Sequence, residues 1–219
     1  MGRYAAMSGY VCTIAGGKGG VGKTTTAINV GVVFEERGHD VVVVDGDLGM
    51  ANLGQMLGVD YAVSLDGVLA GEATVSEGLT TGPGELTVVP GEQSLEAFAE
   101  ADPAKLRKVI KTLRNAFDVV LVDTGAGLSH EVTVPLGLAD GVLMVSTPDD
   151  VAVADTIKTA DLAERVDGTV IGALVARATR GTDVSGVVEA DWFADDEAAA
   201  DEAEAEEEEE SGGVFGLFR

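Results

Sequence analysis

Gly17-Lys18-Gly19-Gly20-Val21-Gly22-Lys23-Thr24 is the stretch that decides the fold. It fits the pattern G-x-x-x-x-G-K-[ST], and its flanks are the ones that pattern requires. Tyr10–Ala15 before it is a short apolar run of strand character, and Gly22–Gly38 after it has helical spacing closed by a glycine. Glycines let the backbone curl so that successive N–H groups turn inward on an anion, and the helix N-terminus adds a partial positive charge. In that frame Lys23 brings a full charge to phosphate oxygens and Thr24 offers its hydroxyl to Mg²⁺. The expectation is a site for Mg·ATP. An ordinary glycine-rich turn would need neither the strand nor the helix.

Outward from this loop, apolar runs alternate with helical stretches. Val41–Asp45 places four valines before an aspartate; Leu86–Pro90, Val119–Asp123, Gly141–Ser146 and Thr169–Ala176 read as further strands. Asp102–Asn115, with Pro103 in its first turn, and Asp149–Val166 read as helices. Runs that are apolar throughout belong to strands buried on both faces, and strands separated by helices belong to a parallel sheet. These features predict an α/β fold with a doubly wound, mostly parallel sheet of the P-loop NTPase type.

Carboxylates at strand ends carry the rest of the chemistry. Asp123 closes its strand on the edge where the glycine loop lies, and so is expected to hold Mg²⁺ through water. Gly127, just beyond, is placed to bring a backbone N–H against the γ-phosphate. Asp45 and Asp47 end another strand at that edge. One is expected to order the metal's water shell and the other to orient the attacking water; the plainer alternative for each is a strand-end turn residue. Asp149 and Asp150 are read as caps of the helix that follows.

Three of these segments carry a family resemblance. Lys18-Gly19-Gly20-Val21-Gly22-Lys23-Thr24-Thr25 resembles the deviant P-loop (Walker A motif) of the MinD/ParA family of ATPases, archaeal MinD-like proteins in particular, with its extra lysine near the start. The stretch Val43-Val44-Asp45-Gly46-Asp47-Leu48-Gly49-Met50-Ala51-Asn52-Leu53 resembles the family's first switch. Val122-Asp123-Thr124-Gly125-Ala126-Gly127 resembles its Walker B strand and second switch, with glycine at 125 where MinD proteins often have proline. The likeness runs from about Val11 to Ala178. It departs at Leu174-Val175-Ala176-Arg177, where many relatives have an asparagine that reads adenine.

The resemblance implies ATP and Mg²⁺ as cofactors and an ATP-dependent homodimer. Lys18 would reach the partner's phosphates, Lys23 would bind its own, and Asp47 would help position the hydrolytic water. It further implies a slow ATPase, activated by a partner protein, that acts in positioning the division site, cell shape or polar and surface structures. A ParA-like role on DNA would need a basic surface. Arg107, Lys108, Lys111 and Arg114 cluster on one predicted helix, but read better as its solvated face. A regulator that binds nucleotide without hydrolysing it is the other alternative, motivated by Ala176 and the altered C-terminal region.

Composition sets the outer limits. The net charge is −24, and Glu189–Glu210 alone contains thirteen acids and no base. Acidic excess over body and tail, with six lysines in all, suggests adaptation to molar salt and argues against a nucleic-acid footprint. Cys12 is the single cysteine and is read as a small core residue. No run approaches the ~18 apolar residues of a membrane span, and Met1–Tyr10 lacks a signal-peptide pattern, so a cytoplasmic protein is expected. The chain is expected to divide into an N-terminal extension (1–9), the ATPase domain (10–185), an acidic low-complexity tail (186–211) and an apolar stub (212–219). In that stub Val214, Phe215, Leu217 and Phe218 would share one helix face, suited to the inner face of a membrane, to a partner groove, or to nothing.

Overall fold

The computed structural model describes residues 8–93 and 105–182. The central strands are β1 (Tyr10–Ala15), β2 (Val41–Gly46) and β5 (Val119–Thr124); β6 (Gly141–Ser146) and β7 (Val170–Val175) extend the sheet on one side. On the other side lie β4 (Thr87–Val89) and the two-residue β3 (Thr80–Thr81). The order is β3-β4-β2-β5-β1-β6-β7, with only the β3–β4 pairing antiparallel. Helices α1 (Lys23–Glu36), α2 (Leu53–Leu57), α3 (Leu65–Ala70), α4 (Leu106–Leu113), α5 (His130–Leu136) and α6 (Asp150–Arg165) cover the sheet. This is the doubly wound, mostly parallel α/β fold that the sequence predicts.

Every residue of β2 and of β5 is buried, which is why both read as unbroken apolar runs. Alternate residues serve opposite faces. Val42, Val44, Val120 and Val122 pack with Leu65 and Leu69 of α3 and with Val109 and Leu113 of α4. Val41, Val43, Val119 and Leu121 join Ala27 of α1 and Leu53 of α2 on the other side. β-branched side chains suit this pleated, doubly covered surface.

The strand ends fall within one or two residues of the predicted ones. α4 begins at Leu106, and the start of the helix predicted from Asp102, with Pro103, lies outside the described residues. Leu106, Val109, Ile110 and Leu113 of α4 are buried while Arg107, Lys108 and Lys111 are exposed; Arg114 pairs with Asp140 at 3.0 Å. The basic cluster is thus the solvated face of an amphipathic helix. The acidic tail and the stub with Val214, Phe215, Leu217 and Phe218 lie outside the described residues. No helix among the described residues is long and apolar enough to cross a membrane.

Register fixes the site. Asp45 of β2 stands beside Asp123 of β5, and Asp123 beside Ile14 of β1, so three strands deliver their C-terminal ends to one edge. The Thr124 hydroxyl donates to the Ile14 carbonyl at 2.9 Å, tying β5 to β1 just before the glycine loop.

Candidate functional site

The loop from Gly16 to Gly22 joins β1 to α1. Gly20 and Gly22 adopt left-handed conformations, at φ +75° and +106°, where other residues would be strained. Gly22 is the N-cap of α1, so the cap residue offers no side-chain acceptor to the first-turn amides. A fourteen-residue helix therefore presents its N-terminal N–H groups and dipole to the loop's interior, with no acid in its first turn to compete. The loop is braced from outside: a Cβ on Gly17 would overlap the Asp155 backbone of α6, and the Arg177 guanidinium donates to the Gly20 carbonyl at 2.8 Å.

Lys23 is 8% exposed, with its ammonium 3.5 Å from the Lys18 carbonyl. Burial pulls its pKa down, while Asp123 and Asp47 pull it back up. A cation half stripped of water and flanked by two carboxylates is primed to interact with phosphate oxygens. Asp123 is 1% exposed and, among the described residues, neither of its oxygens has a hydrogen-bond partner. Burial pushes its carboxyl up to about 7; the Thr24 side chain draws it down without closing a full hydrogen bond, and Asp45 raises it again.

Two orphaned carboxylate oxygens beside a threonine hydroxyl are hard donors of the kind that Mg²⁺ takes. Among the described residues no three His, Cys, Asp or Glu side chains group to hold a metal by themselves.

Asp45 and Asp47 differ in their bonding. Asp45 is fully buried and its Oδ2 accepts from the amides of Asn52 (3.0 Å) and Leu53 (2.9 Å); among the described residues its Oδ1 has no hydrogen-bond partner. Burial raises its carboxyl to about 6, against those two amides. Asp47 is half-buried; its Oδ1 accepts from the Met50 amide at 3.1 Å and lies where a Cβ on Gly125 would be 3.0 Å away. The structure therefore brings Lys23, Thr24, Asp45, Asp47 and Asp123 to one place. Gly127, at φ +94°, lies on the loop beyond β5 with open space around it, and Thr25 faces solvent on α1.

Lys18 stands apart from this group, its ammonium 3.1 Å from Asp149 of the same chain. Asp149 does cap α6, accepting from the Ala152 amide at 3.1 Å, while Asp150 is the first residue of that helix. Ala176 follows β7 and its methyl lies 3.8 Å from where a Gly22 Cβ would stand. Sequence reasoning missed Arg177 as a brace of the loop. Its partner is a backbone carbonyl 157 positions away, which leaves no local signal.

The residues 9–167 match the AAA domain family. The fold superposes on the cell division ATPase MinD of Pyrococcus furiosus with a TM-score of 0.76 at 35% identity, covering 83% of this chain and 78% of that one. The chain belongs to the MinD/ParA family of P-loop ATPases. A second MinD/ParA neighbour, the septum site-determining protein MinD of Pyrococcus horikoshii complexed with Mg-ADP, matches at TM-score 0.76 and 32% identity over 83% of this chain and 76% of that one. Among sequences, an uncharacterized ATP-binding protein of Methanocaldococcus jannaschii is 35% identical over 80% of this chain. The match spans 66% of that relative's length.

Proposed function

We propose that this chain hydrolyses Mg·ATP and uses the nucleotide to switch between monomer and homodimer. The observation that carries this reading is the pairing of an uncapped α1 N-terminus and buried Lys23 with the two orphaned oxygens of Asp123. Gly17, Lys18, Gly19, Gly20, Val21, Gly22, Lys23, Thr24 and Thr25 would surround the phosphates, with the Gly127 amide approaching the γ-phosphate. Thr24 and, through water, Asp123 would hold Mg²⁺, with Asp45 and Asp47 ordering its water shell. When bound, that cation would supply neutralisation of phosphate charge.

Catalysis then rests on position and electrostatics. Asp47, the carboxylate nearest the second switch, orients the attacking water, and Lys23 stabilises charge on the transferred group. Lys18, exposed on the loop rim, is supplied to the partner's phosphates, as the family resemblance implies. A dimer across this edge is supported by the exposed Met50, Leu128 and Val151, which follow β2, β5 and β6 on the nucleotide side.

The cellular role we infer is spatial positioning, of the division site or of polar and surface structures, with an activator or cargo protein as partner. Peripheral contact with the inner face of the membrane through Val214, Phe215, Leu217 and Phe218 belongs to the same proposal. The test is phosphate release from Mg·ATP in molar KCl, beside Lys23→Ala, with light scattering to follow dimer formation. Turnover and ATP-dependent dimers that both vanish in Lys23→Ala are the expected result. Mg·ATP binding without turnover, even with candidate activators, would instead make the chain a nucleotide-dependent regulator.

A further inference from the structure

The loop that carries Asp47 is gripped from a second direction, away from the phosphates. Its exit is fixed by Asp45, whose Oδ2 accepts from the amides of Asn52 and Leu53. Its middle rests on the turn Pro90–Gln93 that follows β4. There the Gln93 carboxamide donates to the Ala51 carbonyl at 2.5 Å. Gly91 permits the approach: a Cβ on it would stand 2.6 Å from the Ala51 Cβ and 3.3 Å from the Asp45 Cγ.

The turn is itself held by the segment around α3. Fully buried Asp66 accepts from the Glu92 amide at 2.8 Å, and the Leu65 amide donates to the Pro90 carbonyl at 2.7 Å. Tyr61 donates its hydroxyl to the Gly91 carbonyl at 2.9 Å. Four consecutive residues thus each bond outside the turn: Pro90 and Glu92 to α3, Gly91 to the segment before it, and Gln93 to the loop of the first switch.

We propose that Gln93 is a positioning residue for ATP hydrolysis. The Pro90–Gln93 turn is a clasp that, seated on Ala51, sets where the loop presents Asp47. The proposal rests on the ATPase reading above. The Gln93 side chain bonds the Ala51 carbonyl and, among the described residues, makes no hydrogen bond to Asp47 or the glycine loop, so it would act through the backbone it holds. Among the described residues the Asp47 carboxylate has one hydrogen bond, accepted from the Met50 amide inside the same loop. Its place therefore follows the place of the loop, and a displacement of about an ångström is enough to spoil the alignment of an attacking water.

Two variants test this. Gln93→Ala removes the bond; Gln93→Glu keeps the side chain's shape but turns a charged acceptor toward the Ala51 carbonyl. In both, kcat for phosphate release should fall about threefold to tenfold, the range one hydrogen bond carries. Affinity for Mg·ADP should stay within about twofold, because the phosphate cradle is untouched. Deuterium uptake should quicken at the amides of Met50, Asn52 and Leu53 and stay unchanged from Gly19 to Thr24. Wild-type kcat together with wild-type uptake in both variants overturns the clasp. So does a fall in kcat matched by an equal loss of Mg·ADP affinity. If the unmodified protein releases no phosphate, the ATPase reading fails, and the uptake measurement alone decides whether Gln93 holds the loop.

Discussion

The ammonium of Lys18 lies 3.1 Å from the carboxylate of Asp149, joining the β1–α1 loop to the start of α6 across 131 positions of sequence. Asp149 also accepts from the Thr147 hydroxyl at 2.5 Å and from the Ala152 amide. The Thr147 bond first, then those of Lys18 and Ala152, hold its carboxyl down at about 2. With the folded value depressed, the stabilisation is present above the ordinary value near 3.8 and is lost as pH falls through about 2. Both side chains are close to half exposed, so the ion pair itself contributes little and the cap carries more. At neutral pH Asp149→Asn, which loses the charge but keeps the cap acceptor, should lower the melting temperature less than Asp149→Ala, which loses both. Circular dichroism melts at pH 7 distinguish the two, and equal losses would mean that the charge matters more than the cap.

Asp123 is shifted the other way. A carboxyl raised from 3.8 to about 7 contributes stability fully present below about 4 and lost as pH rises through about 7. Metal-free protein should therefore melt at a lower temperature at pH 8 than at pH 6. Asp123→Asn should flatten that difference, and Mg·ADP should offset it in the unmodified chain by giving the ionised carboxylate a cation. Parallel melting curves for variant and parent across this interval would refute the assignment.

Gly125 is where the two switch loops meet. A methyl group added there would lie 3.0 Å from Asp47 Oδ1 and push that carboxylate aside. Gly125→Ala should lower kcat about tenfold, through misplacement of the water-orienting group. Mg·ADP affinity, read by calorimetry, should stay put, and so should thermal stability. A variant with unchanged kcat would separate Asp47 from the hydrolytic step.

Cys12 lies in β1 at 7% exposure, and burial pushes its thiol up to about 11. The thiolate is the reactive form, so at pH 8 the folded chain should not be labelled by a disulfide reagent. One equivalent should react once the protein is unfolded in guanidinium chloride. Prompt labelling of the native protein would place β1 in an open conformation.

How much of this was legible in the sequence depended on how local each signal is. The valines of β2 and β5 announce strands covered on both faces, because no polar residue interrupts them until the strand reaches the site. The glycine loop is likewise written in consecutive residues. β3 is two residues long, α2 and α3 are five and six, and α5 has Pro135 inside its last turn, so none builds a readable period. Ser64, whose hydroxyl accepts from the Gly67 amide, and Gly71 do mark the ends of α3 by their cap chemistry. Asp149 was readable as a cap because its acceptor role is local, but its pairing with Lys18 was not. Gln93 and Arg177 were invisible, since each bonds a distant main-chain carbonyl, and carbonyls are the same at every position.

The bracing of the glycine loop by Asp155 and Arg177 has a kinetic consequence. A cradle held in place by the rest of the fold loses its conformational entropy during folding, so on the proposed reading a nucleotide would meet a preformed cup and exchange would need no refolding of the loop. On the proposed reading, ATP and ADP would differ chiefly in what they ask of the segments after β2 and β5, where the γ-phosphate would lie. The dwell time of each state would be set there, and the cup itself would keep no memory of which nucleotide it last held.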